Sequence, residues 1–178
     1  MFSLGHLQRL SLSDNNFNYS QIPSSIRNFP SLTHLDLSFS FFSNQVPSEV
    51  SHLSKLTYLN LCCNILENKK SPDNHRRLLK LQPSDMRITS TLRLSYLTQL
   101  TVFRVSTSSL TGPIPSWLGN FTKLVYLDFA FNQLSGSIPA SFSNLINLEI
   151  LYLHSNNLSG VVEFQMFQNL QNIYTNSN

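Results

Sequence analysis

The sequence predicts an α/β repeat solenoid, a right-handed superhelix with a concave parallel β-sheet and short helical or 3-10 segments on its convex side. Three observations lead there. The pattern LxxLxLxxN recurs with its first leucine at Leu7, Leu32, Leu56, Leu100, Leu124 and Leu148, at intervals of 25, 24, 44, 24 and 24 residues. Within each unit, apolar residues two apart extend over only a few positions, which is the period of a short half-buried strand. Nothing helical follows for long enough to make a second ordinary element, so a unit cannot bury its own apolar face and must stack on its neighbours.

The strands come first in each unit, and they are expected at 10–12, 35–37, 59–61, 79–81, 103–105, 127–129 and 151–153. The one at 79–81 follows from dividing the 44-residue interval into 20 and 24, with Arg76 as a degenerate anchor and Leu79, Leu81 and Ser84 in the following positions. That fourth unit is the weak one, because Pro83 removes a ladder donor and Arg76 stands where a core leucine is expected. A further partial unit opens at Ile173, which makes seven repeats plus a C-terminal stub in one domain, 1–178, with 67–77 an irregular basic segment inside repeat three.

The turn comes next. Its residues are Asn15, Ser40, Asn64, Ser84, Ser108, Asn132 and Asn156, polar groups placed to serve backbone N–H and C=O groups that the turn would orphan. In "LDFAFNQLSGSIP", Gly136 then allows a backbone conformation closed to other residues, and Ile138-Pro139 sets one apolar side chain beside a residue with fixed φ. The convex return, "ASFSNLINL" in that unit, leads to the next strand.

Charge is localised. Residues 67–93 hold seven of the twelve Lys and Arg but three of the nine acids, so the pI near 9.0 reports one segment rather than a basic protein. That segment has no aromatic residue to stack on bases, which argues against nucleic-acid binding. The two cysteines, Cys62 and Cys63, are adjacent, and neighbours on a strand point to opposite faces, so two free thiols are expected. Five histidines, His6, His34, His52, His75 and His154, show no metal-ligand spacing, and no cofactor is expected. No nucleophile elbow, zinc-protease helix or phosphate loop occurs. The inter-leucine carboxylates Asp36 and Asp128 stand too many strands apart for paired acid–base work, so the chain is not expected to be an enzyme.

A binding role would use the strand positions between core residues, which read Ser11, Asp36, Asn60, Lys80, Arg104, Asp128 and Tyr152. The candidate ligand-binding set is Arg104, Tyr126, Asp128, Phe131, Tyr152 and His154, where charge lies beside aromatic area. Three sequons, at Asn18, Asn120 and Asn157, would accept glycans in a secreted parent. The opening residues lack a signal-peptide pattern and no apolar run is long enough to span a bilayer, so no export or membrane insertion by this chain is expected. Open ends are expected to leave Leu4, Leu7, Leu10, Leu12 and Phe17 at one edge, and Leu170 and Ile173 at the other, uncovered.

The unit LxxLxLxxNxLxGxIPxxLxxLxx, nearly whole at 100–123 and 124–147, resembles the plant-specific class of leucine-rich repeat. "LGHLQRLSLSDNNFNYSQIPSSIRNFPSLTHLDLSFSFFSNQVPSEVSHLSKL" and "LSGVVEFQMFQNLQNI" are similar to repeats of plant leucine-rich-repeat receptor-like proteins of the disease-resistance type. That resemblance implies a leucine-rich-repeat solenoid on the extracellular side of the plasma membrane, carried in the parent by one span with a short tail. It also implies recognition of a protein or peptide ligand in defence signalling, with co-receptor kinases as partners. The alternatives are a secreted inhibitor of a pathogen enzyme, similar to the polygalacturonase-inhibiting proteins, and a truncated product without independent activity.

Overall fold

The structure, a computed structural model, describes residues 4–66 and 94–168. Six three-residue strands, β1 (Arg9–Ser11), β2 (His34–Asp36), β3 (Tyr58–Asn60), β4 (Val102–Arg104), β6 (Tyr126–Asp128) and β8 (Ile150–Tyr152), form one parallel sheet in that order. The register puts Leu10, Leu35, Leu59, Phe103, Leu127 and Leu151 in a single row. Each strand opens one residue before the expected span, while the core pairs hold: Leu35 with Leu37, Leu59 with Leu61, Phe103 with Val105 and Leu127 with Phe129 are all buried.

One expectation is corrected. No strand stands between β3 and β4, because Leu59 is paired with Phe103 and Thr101 N donates to Thr57 O. The expected positions 79–81, and the turn residue Ser84, lie outside the described residues. The physical reason is visible in the convex half. Leu94, Leu97 and Leu100 are all buried, and the strand they lead into, β4, pairs directly with β3. Leu97 N and Leu100 N donate to Leu94 O and Leu97 O, as Leu145 N and Leu148 N donate to Phe142 O and Leu145 O. One set of convex leucines completes one rung, so the 44-residue interval is a single repeat with twenty extra residues between Leu66 and Leu94.

The convex segments are 3-10 turns at Ser24–Asn28, Ser48–His52, Ser116–Asn120, Ala140–Asn144 and Phe164–Phe167. In the first four, a proline (Pro23, Pro47, Pro115 or Pro139) holds the N-cap with φ between −63° and −76°. A ring that fixes φ and lacks an N–H fits this position at no hydrogen-bonding cost. Between strand and convex turn runs a second, smaller parallel sheet, β5 (Thr111–Pro113), β7 (Gln133–Gly136) and β9 (Asn157–Leu158). The parallel bridge Ser43–Ile65 repeats the same pairing earlier in the chain. The sequence carried its signature in "TGPIP" and "SGSIP", but two or three residues are too few for periodicity to reveal a strand.

The core fills the space between the concave sheet and the 3-10 layer. Toward the C-terminal half it becomes aromatic, with the Phe103 ring 5.3 Å from Phe129 and 6.4 Å from Phe121, both edge-on.

Candidate functional site

The turn that ends each strand is built on the expected polar ladder. Asn132 Nδ2 donates to Val105 O at 3.0 Å, Phe129 O at 3.0 Å and Ala130 O at 3.1 Å, while its Oδ1 accepts from Ser108 N at 3.1 Å and Leu110 N at 3.0 Å. Asn64 does the same for Leu37, Leu61, Cys62, Ser40 and Phe42. The serines reach fewer partners: Ser108 Oγ donates to Leu61 O at 3.2 Å and Ser106 O at 3.1 Å. This scaffold fixes where the strand side chains stand.

On the concave face, Arg104 Nη2 lies 3.5 Å from Asp128 Oδ2, and the guanidinium carbon is 5.5 Å from the Tyr126 ring centre. The aromatic series continues from there. Tyr126 meets Tyr152 edge-on at 5.7 Å, Tyr152 meets His154 at 5.6 Å, and His154 meets Phe131 at 5.0 Å. Five of the six candidate residues therefore form a connected, partly exposed surface. The sixth, Asp128, is 5% exposed, and its carboxylate is taken up from within. Ser106 Oγ donates to Asp128 Oδ2 at 3.0 Å and Ala130 N donates to Asp128 Oδ1 at 3.1 Å, so Asp128 anchors Arg104 instead of facing solvent.

Burial opposes the Arg104 charge, yet Cys62, Tyr126, Asp128 and Tyr58 around it hold its pKa above the usual value. Burial also raises the Tyr126 hydroxyl, with Arg104 pulling the other way. Among the described residues, Arg104 Nε is buried without a hydrogen-bond partner. Its guanidinium tip stays part-exposed, the side chain being 38% exposed, and Asp128 holds it in place. On the N-terminal side of the same face, His34 stacks on Tyr58 at 5.7 Å, a pair the candidate set omits. Burial, then the nearby Arg9, lowers the His34 pKa.

Pattern reading reached one member of a second row, Phe131, but not the row itself. The residue before each ladder position is left-handed: Asp14, Phe39, Cys63, Thr107, Phe131 and Ser155 have φ between 51° and 59°. Asp14, Phe39, Cys63, Thr107 and Phe131 donate their N–H to the residue before the next member of the row, at 3.0–3.1 Å. The row thus keeps rung spacing along the C-terminal margin of the strands. Phe39 is 58% exposed and Phe131 57%; Tyr19 and Phe41, also exposed, form a separate ring pair 6.0 Å apart. No consensus spacing marks this position, because the repeat imposes a backbone conformation there and leaves the side chain free.

Asn18, Asn120 and Asn157 are all exposed, Asn120 at the end of a 3-10 turn and Asn157 in β9. Both thiols are free, Cys62 buried and Cys63 half-exposed, and burial raises the pKa of each. Lys80 lies outside the described residues. Among the described residues no group of His, Cys, Asp and Glu could hold a metal ion.

Family profiles described as "Leucine rich repeat" match residues 98–158 and residues 6–29, 31–53 and 147–170, together more than half of the chain. Solved structures agree. The PEPR1–AtPEP1 structure is 35% identical at a TM-score of 0.76, over 96% of this chain and 21% of that one. The ectodomain of the Arabidopsis thaliana membrane receptor kinase GASSHO1/SCHENGEN3, in complex with CASPARIAN STRIP INTEGRITY FACTOR 2, is 28% identical at a TM-score of 0.76. There the match spans 96% of this chain and 18% of the other. The Arabidopsis receptor kinase HAESA, solved with the peptide hormone IDA and the co-receptor SERK1, is 30% identical at a TM-score of 0.73, over 92% and 24%. The chain spans about a fifth of the length of these structures. No curated protein matches the sequence at a significant level.

Proposed function

The chain belongs to the leucine-rich repeat family, and from that premise we propose that its concave face recognises a peptide or protein ligand as part of the ectodomain of a plant cell-surface receptor-like protein. The observation that carries this reading is the connected surface of Arg104, Tyr126, Tyr152, His154 and Phe131. Aromatic and guanidinium groups held rigidly and half-exposed are the groups that dominate protein recognition. A shallow sheet offers no enclosed cleft for catalysis, but it can lie along an extended chain.

Defence signalling is the role we assign, on the similarity of the opening repeats to disease-resistance receptor-like proteins. A co-receptor kinase would be the partner that carries the signal, in keeping with the HAESA structure solved with its co-receptor. The receptor reading places the parent at the plasma membrane with this face outside, and there Asn18, Asn120 and Asn157 would carry glycans. No helix among the described residues is long and apolar enough to cross a membrane.

The test is a selection from a displayed random peptide library on the full 178-residue chain, with the double variant Arg104→Ala, Tyr152→Ala as counter-target. Peptides that bind the native chain about tenfold or more tighter than the variant are expected, the loss of one good anchor being worth roughly 1.4 kcal/mol. Failure to enrich any peptide, or equal binding to both targets, would remove the concave patch as the recognition site.

A further inference from the structure

We infer that the ligand is an extended peptide with two apolar side chains four residues apart, one meeting Phe39 and the other Phe131, and with an acidic residue next to the one at Phe131. This rests on the recognition reading above and gives that site a length and a register.

The first ground is that Phe39 and Phe131 pay twice for being phenylalanine. Their φ angles are 51° and 53°, in the left-handed region where a side chain with Cβ costs backbone energy and a bulky one is unusual. Their rings are 58% and 57% exposed, so little core burial offsets that cost. Strain kept at an exposed aromatic points to contact with something outside the chain.

The second ground is commensurate spacing. Phe39 and Phe131 hold the same position in the rungs of β2 and β6, with Cys63 and Thr107 in the rungs of β3 and β4 between them. Three rungs of about 4.8 Å make about 14 Å, and four residues of extended chain at about 3.4 Å also make about 14 Å. Side chains at i and i+4 of a strand point to one side, so both anchors face the exit row while the intervening odd positions face the strands.

The third ground is charge. Arg104 lies on β4, one rung from Phe131, and its side chain is 38% exposed with Asp128 at 3.5 Å. A peptide side chain one residue from the Phe131 anchor points toward the strands, where the part-exposed guanidinium of Arg104 lies, and a carboxylate fits there. A peptide running from Phe39 to Phe131 reads apolar-x-x-acid-apolar, and one running the other way reads apolar-acid-x-x-apolar.

The test uses peptides enriched on the native chain, synthesised with a fluorophore and titrated by anisotropy against the full chain. Apolar pairs four apart with an adjacent acid are expected to dominate. Phe39→Gly and Phe131→Gly should each weaken binding about tenfold while melting no lower than the native chain, since glycine relieves the left-handed backbone. Bound peptide should slow alkylation of the half-exposed Cys63 by iodoacetamide, because that thiol lies between the anchors. Enriched peptides that bind both glycine variants undiminished, or that tolerate an extra residue between the apolar pair, overturn the inference while leaving the concave patch standing. A selection that enriches nothing overturns both.

Discussion

Asn132 is 8% exposed, and its amide serves five backbone groups drawn from two repeats. Replacing it with alanine leaves buried donors and acceptors unpaired, and a loss of about 1 to 3 kcal/mol is expected in urea unfolding. Ser108→Ala should cost less, because the carbonyls its hydroxyl meets have other donors, Asn64 Nδ2 for Leu61 O and Cys63 N for Ser106 O. Equal, negligible shifts of the midpoint in both variants would mean that the ladder has no structural role. His34 offers a check by pH. Its folded pKa lies below the ordinary 6.5, through burial and then Arg9, so the unfolded chain binds the proton more readily. Stability should therefore fall as pH drops through about 6.5, and His34→Gln should flatten that part of the profile. A slope unchanged in the variant would place the dependence elsewhere.

Between elements, backbone approaches backbone closely at Gly119. A Cβ there would stand 2.4 Å from Ser141 O and 2.7 Å from Ser141 Cβ, so the 3-10 turns Ser116–Asn120 and Ala140–Asn144 touch through backbone. Gly119→Ala has nowhere to place its methyl without moving a turn, and a loss of about 1 to 3 kcal/mol in thermal or urea unfolding is expected. A variant as stable as the native chain would show that the turns can slide apart. The extra twenty residues between Leu66 and Leu94 make the opposite forecast. Since β3 pairs with β4 directly, excising twenty residues from 67–93 should leave the melting transition within a few degrees of the native one. Loss of a cooperative transition would mean that this segment holds the rung together.

At the scale of the molecule, the chain is a stack in which each repeat leans only on its neighbours, so local faults stay local. Apolar groups remain outside this stack toward the C-terminal side, with Val161 82% and Phe164 74% exposed. Phe164→Asp should lower concentration-dependent light scattering of the purified chain without lowering its melting temperature. Scattering that does not change would exonerate this patch. The fold was legible because leucines two apart, a polar residue at the turn and a proline before four of the five convex turns repeat the same physical problem and its solution. The number of rungs was not, because the spacing of Leu79 and Leu81 reads like a strand pair, whereas the register joins β3 directly to β4. Arg104, Tyr126 and Tyr152 were found by strand alternation. The covered state of Asp128 and the left-handed row through Phe39 depended on neighbours one rung away, which no single unit of sequence contains.

The direct junction of β3 and β4 has a consequence for how such a surface can change. Position on the concave sheet is an address written in rungs, and the 44 residues from Leu56 to Leu100 advance it by one, as 24 or 25 do elsewhere. Material spliced in between strands alters what borders the sheet without moving Tyr58 relative to Val102 or Asn60 relative to Arg104. Lineages of such proteins can therefore lengthen their flanks and keep every contact point at its old coordinate.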